Sequence, residues 1–281
     1  MRSFSRALVL FSFLLVACGD DDRPAARVDG GGGGVDGGVP RDASFVDAPP
    51  TTCGAPIDLV FVLDVSTSMD DEIDAVAAGT ERIWEAATAL TPDVQLGLVV
   101  FVDSVVPVNG CGAFASYSAL SSELRSRWLP FTESNEQPPS GGNNSDCAEN
   151  SLDALYAAAT QCPWREGATR MVVHVTDDTF AEPPTSLSGV TVQRSYLETL
   201  SALTAREIRV GAFATPSPGN ECALGPTPLA GQGFHESYGA QTAIPVATGG
   251  RAWNLRDVRG GTLDMATAIS ELIEDEYCTL Y

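Results

Sequence analysis

Strongly apolar segments of strand length recur along the chain at Ile57–Leu63, Val94–Val102, Met171–Val175 and Ile208–Ala214, with a shorter one near Arg251–Leu255. Three of the four long ones are nearly apolar throughout rather than alternating, the pattern of parallel strands covered on both faces. Between them lie helix-like stretches at Asp71–Ala89, Ser151–Gln161, Ser195–Ala205 and Thr262–Tyr277. In the last, Leu263, Ala266, Ile269, Leu272 and Ile273 recur at helical spacing. Strand–helix alternation with right-handed crossovers predicts an α/β fold: a doubly wound, mostly parallel sheet flanked by helices.

The strands end on acids. Asp64 closes "IDLVFVLD", Asp103 follows "LGLVVFV" and Asp177 follows "RMVVHVT". In doubly wound sheets ligands bind outside the carboxyl ends of the strands. One aspartate there is most simply a strand terminator or a helix cap. Three converging on one sheet edge, with Ser66 and Ser68 among them, point instead to oxygen ligands for a hard cation.

Composition narrows the partners. The chain carries 37 acidic against 16 basic residues, a formal net charge of −21. So acidic a molecule is not expected to bind nucleic acid or anionic lipid headgroups. Of the 7 cysteines, none forms a CxxC pair, so a zinc or redox centre has little support. Apart from Cys18, an even set remains (Cys53, Cys111, Cys147, Cys162, Cys222 and Cys278), as disulfides of an exported domain require.

The amino-terminal residues 1–17 read as an address. Arg2 and Arg6 precede an apolar stretch from Ala7 to Ala17, too short for the ~20 residues of a spanning helix. The stretch closes on "LVAC", which resembles a bacterial lipoprotein cleavage box and would make Cys18 the lipid-bearing residue. The alternative is an ordinary signal peptide with an incidental cysteine. Residues 18–52 include "VDGGGGGVDGG" and are too poor in apolar side chains to order themselves. They are expected to be a flexible tether, a calcium-binding repeat being disfavoured by the lack of a period. Residues 53–281 suit one α/β domain. The expected location is the bacterial cell envelope, lipid-anchored at the outer membrane, on its periplasmic or cell-surface face.

"DVSTS", Asp64-x-Ser66-x-Ser68, resembles the metal-ion-dependent adhesion site of von Willebrand factor A-type domains, whose fold is the Rossmann-like doubly wound sheet inferred above. The family completes its site with a Thr from a second loop and an Asp from a third. Asp177 in "VTDD" fits the third, whereas Glu149 stands where the Thr is expected. That departure is similar to the inserted domain of integrin β subunits, whose second loop reads Asn-x-Asp-x-Pro-Glu. Asn144, Asp146 and Glu149 keep the spacing, with Ala148 in place of the Pro. The resemblance implies a central metal held by Asp64, Ser66, Ser68, Glu149 and Asp177. It implies a second held by Asp103, Asn144, Asp146, Ala148 and Glu149. It implies a third held by Ser68, Asp71, Glu72 and the backbone carbonyl of Met265, the last in "GGTLDM". One to three ions are therefore expected, Mg²⁺ or Ca²⁺ and sometimes Mn²⁺, as hydroxyl, carboxylate and water ligands select.

Such a site leaves an open coordination position for a partner's carboxylate. The expected function is cation-dependent adhesion: capture of a protein or surface ligand that presents an acid, with the membrane engaged through the lipid alone. One rival is a structural lipoprotein whose metal only holds three loops together. Another is a hydrolase using Ser66 or Ser68 with His174 or His235 as base, or a metal-dependent one. No nucleophile elbow or general base is evident. Topology is expected to bring Cys111, Cys147 and Cys222 to the metal-bearing end and Cys53, Cys162 and Cys278 to the other. The expected pairs are Cys111–Cys147 and Cys53–Cys278.

Overall fold

A computed structural model describes residues 54–139, 141–216 and 231–279. In chain order its strands are β1 (Ile57–Asp64), β2 (Val94–Phe101), β3 (Val105–Pro107), β4 (Ala148–Glu149), β5 (Thr169–Thr176), β6 (Thr179–Phe180), β7 (Ser186–Leu187), β8 (Val190–Thr191), β9 (Ile208–Ala214) and β10 (Ala252–Asn254). The helices are α1 (Asp70–Leu90), α2 (Tyr117–Glu123), α3 (Leu129–Phe131), α4 (Ser151–Gln161), α5 (Tyr196–Ala205), α6 (Ile244–Ala247), α7 (Leu255–Arg259) and α8 (Met265–Glu276).

The main sheet runs β10-β9-β5-β1-β2-β3, parallel except at β3. This is the doubly wound α/β arrangement that the apolar runs predict. The chain leaves β1 towards β2 and β3 on one side, then returns to add β5, β9 and β10 on the other. The strand order therefore reverses at β1, and a crevice opens at its carboxyl end.

All eight residues of β1 are buried because both its faces are covered. Leu59, Phe61 and Leu63 enter a core shared with α1 and α8, while Val60 and Val62 enter one shared with α4 and α5. Period-two alternation persists inside the uninterrupted apolar run, with helices on each face. Helices α1 and α8 approach so closely at Gly79 that a Cβ there would lie 2.6 Å from Cβ of Ala266. The one charge early in β1, Asp58, is buried but matched. Arg165 donates to it through Nε at 2.6 Å and through its backbone N–H at 2.7 Å. The same guanidinium reaches Asp93 and the Ile57 carbonyl, tying the amino ends of β1 and β2 to the loop before β5.

One disulfide corrects the expected pairing. Cys111 bonds Cys162, not Cys147. The reason is β3, which is three residues long, half-buried and includes Pro107, so it carries no legible strand pattern. It runs antiparallel to β2 and returns the chain towards the amino ends of the strands, where the Phe114 N–H donates to the Leu96 carbonyl at 2.8 Å. Cys111 is thereby carried to the foot of the sheet, where Cys162 ends α4. Cys147 is itself disulfide-bonded, in the loop before β4. The Cys53–Cys278 pairing involves Cys53, outside the described residues, as are Cys222, the leader 1–17, Cys18 and the rest of the tether 18–52. No helix of the described residues is long and apolar enough to cross a membrane.

Non-reducing peptide mapping is expected to recover a Cys111–Cys162 linked pair. Because the bridge spans a sequence separation of 51, loop-closure entropy assigns it about 4 kcal/mol. The double variant Cys111→Ala/Cys162→Ala should lose stability of that order in urea, and an unchanged midpoint would contradict the assignment.

Candidate metal centre

At the carboxyl end of β1 the backbone is shaped by its own polar side chains. The Ser66 N–H donates to Oδ1 of Asp64 at 2.8 Å, closing a turn that holds the carboxylate in place. From β5, Thr176 donates its hydroxyl to Oδ2 of Asp64 at 2.8 Å. The hydroxyls of Ser66 and Ser68 lie 3.4 Å apart, and Ser68 donates to Oδ1 of Asp177 at 3.0 Å. One carboxylate oxygen from each of Asp64, Asp177 and Asp178 lies within 4.8 Å of the other two. Three acids around two hydroxyls form an all-oxygen set suited to a hard divalent ion.

Glu149 arrives from the second loop. The short pairing of β4 with β6, Glu149 opposite Phe180, places it just beyond the end of β5. Asn144 donates Nδ2 to Oε1 of Glu149 at 2.9 Å, and Oε2 is buried without a hydrogen-bond partner among the described residues. Asp103, at the end of β2, is also fully buried. Gln137 donates to its Oδ2 at 2.5 Å and accepts from the Asp103 N–H at 2.9 Å, leaving Oδ1 without a partner among the described residues. Asp146 is exposed and accepts from the Ser188 N–H at 2.6 Å and from its hydroxyl at 3.1 Å. Ala148 is buried in β4 beside Glu149.

The electrostatics report a deficit of positive charge. Burial first, then the charges of Asp177 and Asp178, hold the Asp64 carboxyl well above the usual range. Burial also raises Glu149 well above it, reinforced by Asp64, Asp103 and Asp178, so Glu149 stands between the two acidic groups. Asp103 is pushed up to about 6 by burial and by Asp146. Buried carboxylate oxygens without partners, among acids that raise one another's proton affinity, fit residues built around cations.

Around the third set the contacts differ. Glu72, buried in the first turn of α1, is held by Arg259 through Nε at 2.7 Å and Nη2 at 3.2 Å. Nη2 of Arg259 also donates to the Ser68 carbonyl at 2.8 Å and to Oδ2 of Asp177 at 2.9 Å. Asp71 is exposed, and Met265 is buried in the core at the start of α8.

Neither histidine is placed to activate a serine. His174 is fully buried on β5 between the rings of Phe101 and Phe234, and burial lowers its pKa to about 3. His235 bonds the Ala214 carbonyl through Nε2 at 2.8 Å. Reading the sequence alone missed Gln137, Thr176, Asp178, Ser188 and Arg259. Thr176 and Asp178 adjoin Asp177 and could have been found there. The other three come from segments without a periodic pattern.

Two outcomes follow. Thr176→Val keeps the side-chain shape but removes a hydrogen bond that orients Asp64, and is expected to weaken divalent-cation affinity by ~10–100-fold in calorimetric titration. The second concerns pH in the presence of chelator. Asp103 has a folded-state pKa raised from 3.8 to about 6, so its contribution to stability is present at low pH and lost as pH rises through about 6. Asp103→Asn lacks that loss. Its stability relative to the parent should therefore increase between about pH 4 and pH 7 in urea denaturation, and saturating cation should shrink the gap.

Known proteins are similar to part of this chain. Over 143 residues the chain is 28% identical to integrin beta-PS of Drosophila melanogaster, covering 45% of this chain and 17% of that protein. It is 26% identical over 162 residues to integrin beta-6 of Rattus norvegicus, covering 50% of this chain and 20% of that one. It is 29% identical over 147 residues to integrin beta-7 of Mus musculus, covering 45% and 18%. The chain thus spans a fifth or less of the length of each of these relatives. A solved structure of an aerotolerance-related membrane protein from Bacteroides fragilis aligns with 79% of this chain and 98% of its own, at 13% identity and a TM-score of 0.46. The family model of the integrin beta chain VWA domain matches residues 52–200, more than half of the chain, and the chain belongs to that family.

Proposed function

We propose that this domain is a divalent-cation-dependent adhesion module, which captures a protein or surface ligand through a carboxylate bound to the ion held by Asp64, Ser66, Ser68, Glu149 and Asp177. The observation that carries the reading is the meeting of three loops, from the ends of β1 and β5 and from the start of α4, around one group of acids and hydroxyls. Ser68 is exposed while Asp64 and Glu149 are buried, so the site has a closed floor and an open side. An ion held partly by neutral hydroxyls keeps an appetite for one more anionic ligand. Mg²⁺, Ca²⁺ and Mn²⁺ all suit this donor set, and Asp103, Asn144, Asp146 and the Ala148 carbonyl would serve a second ion beside Glu149.

In the same proposal Cys18 carries a lipid and residues 18–52 tether the domain to the bacterial envelope. A random coil of that length spans roughly 30–35 Å, enough to present the site beyond a membrane surface.

The test is cation binding followed by partner capture. Asp64→Ala combined with Ser66→Ala should bind Mg²⁺ and Ca²⁺ less well than the chelator-stripped parent in calorimetric titration, and binding equal to the parent's would overturn the site. Capture from envelope extracts should require cation and should fail with Ser68→Ala. Equal recovery with cation and with chelator would favour a scaffold whose metal only holds the loops together.

A further inference from the structure

We propose that the Arg259 guanidinium is a tethered cation which takes the place of a third divalent ion beside the central site. The inference deepens the proposed adhesion function, since it concerns how many ions the module uses and what fixes the charge around the captured acid.

The expected third ion has Ser68, Asp71, Glu72 and Met265 as its ligands. Two of these four already hold a positive charge. Arg259 grips both oxygens of Glu72, at 2.7 and 3.2 Å, and donates to the Ser68 carbonyl at 2.8 Å. A planar fork of donors suits a carboxylate in this two-point manner, and its charge persists at every accessible pH. A divalent ion binding the same oxygens would need to stand about 2.0–2.6 Å from them. The guanidinium nitrogens occupy that space, and their charge repels the newcomer. Glu72 is buried, so it needs a cation of some kind, and the arginine meets that need from within the chain. What is left over, exposed Asp71 and the backbone carbonyl of Met265 in the first turn of α8, is too few donors for a third ion.

The same guanidinium reaches the central group. Its Nη2 donates to Oδ2 of Asp177 at 2.9 Å, while the other oxygen of Asp177 accepts from Ser68. Arg259 therefore neutralises one of the acids whose combined charge would otherwise resist an incoming carboxylate. An ion in this position would come and go with its concentration in the surroundings. A side chain on α7 does not, so the charge beside the captured acid is independent of ambient calcium.

Native mass spectrometry of the full chain at saturating Mn²⁺ or Ca²⁺ counts the ions directly. Glu72→Gln is expected to leave the count of the parent unchanged. Arg259→Met is expected to gain one ion, and Arg259→Met/Glu72→Gln to lose that gain. An ion lost from the parent on Glu72→Gln, or none gained on Arg259→Met, would overturn the proposal. Should Arg259→Met prove unfolded by near-UV circular dichroism, the comparison of the parent with Glu72→Gln still decides. A count unaffected by Asp64→Ala would instead strike at the proposed adhesion site, leaving the arginine comparison separately readable.

Discussion

Mutual repulsion among the carboxylates at the ends of β1, β2 and β5 is the constraint around which the upper edge of this domain is arranged. Parallel strands side by side bring their carboxyl ends to one level, and each of these three delivers an acid there. Burial denies those acids the water that would screen them, and their raised proton affinities record the cost. Neighbouring groups answer it in different ways. Thr176, Asn144, Gln137 and the Ser66 N–H donate hydrogen bonds to individual oxygens, and Arg259 supplies charge. These donors leave Oδ1 of Asp103 and Oε2 of Glu149 without a partner among the described residues.

Much of this was legible in the sequence because it depends on short-range pattern. A parallel strand covered on both faces is carried by a long apolar run, so its end is announced by the acid that closes the run, as at Asp64, Asp103 and Asp177. Asp64, Ser66 and Ser68 lie within a single turn, and their proximity survives any uncertainty about the rest of the fold. Helix α4 was readable to the residue, since its apolar side chains repeat at helical spacing from Ser151 to Gln161.

The unread parts depend on contacts between distant segments. Gln137 is 34 residues from Asp103, and Arg259 is 187 from Glu72. Neither stands in a repeating pattern that could announce its partner. The pairing of Cys111 failed for a related reason. A three-residue edge strand reverses the chain, and everything after it, cysteine included, lands at the opposite end of the sheet from where simple alternation of strand and helix would put it.

The contact between Gly79 and Ala266 acquires a meaning beyond packing. Glu72 lies two turns before Gly79 on α1, and Arg259 lies in the segment that leads into α8, where Ala266 sits. Helix α1 and the α7–α8 segment are thus joined like the jaws of a calliper, the glycine setting the gap to α8 and the arginine–glutamate pair tying α7 to the first turn of α1. Any side chain at position 79 forces the jaws apart, since its first carbon would already collide with Ala266. The strain would fall on the ion pair and, through Asp177, on the spacing of the acids and hydroxyls at the end of β1, so a position two turns away acts as a mechanical adjustment of the group.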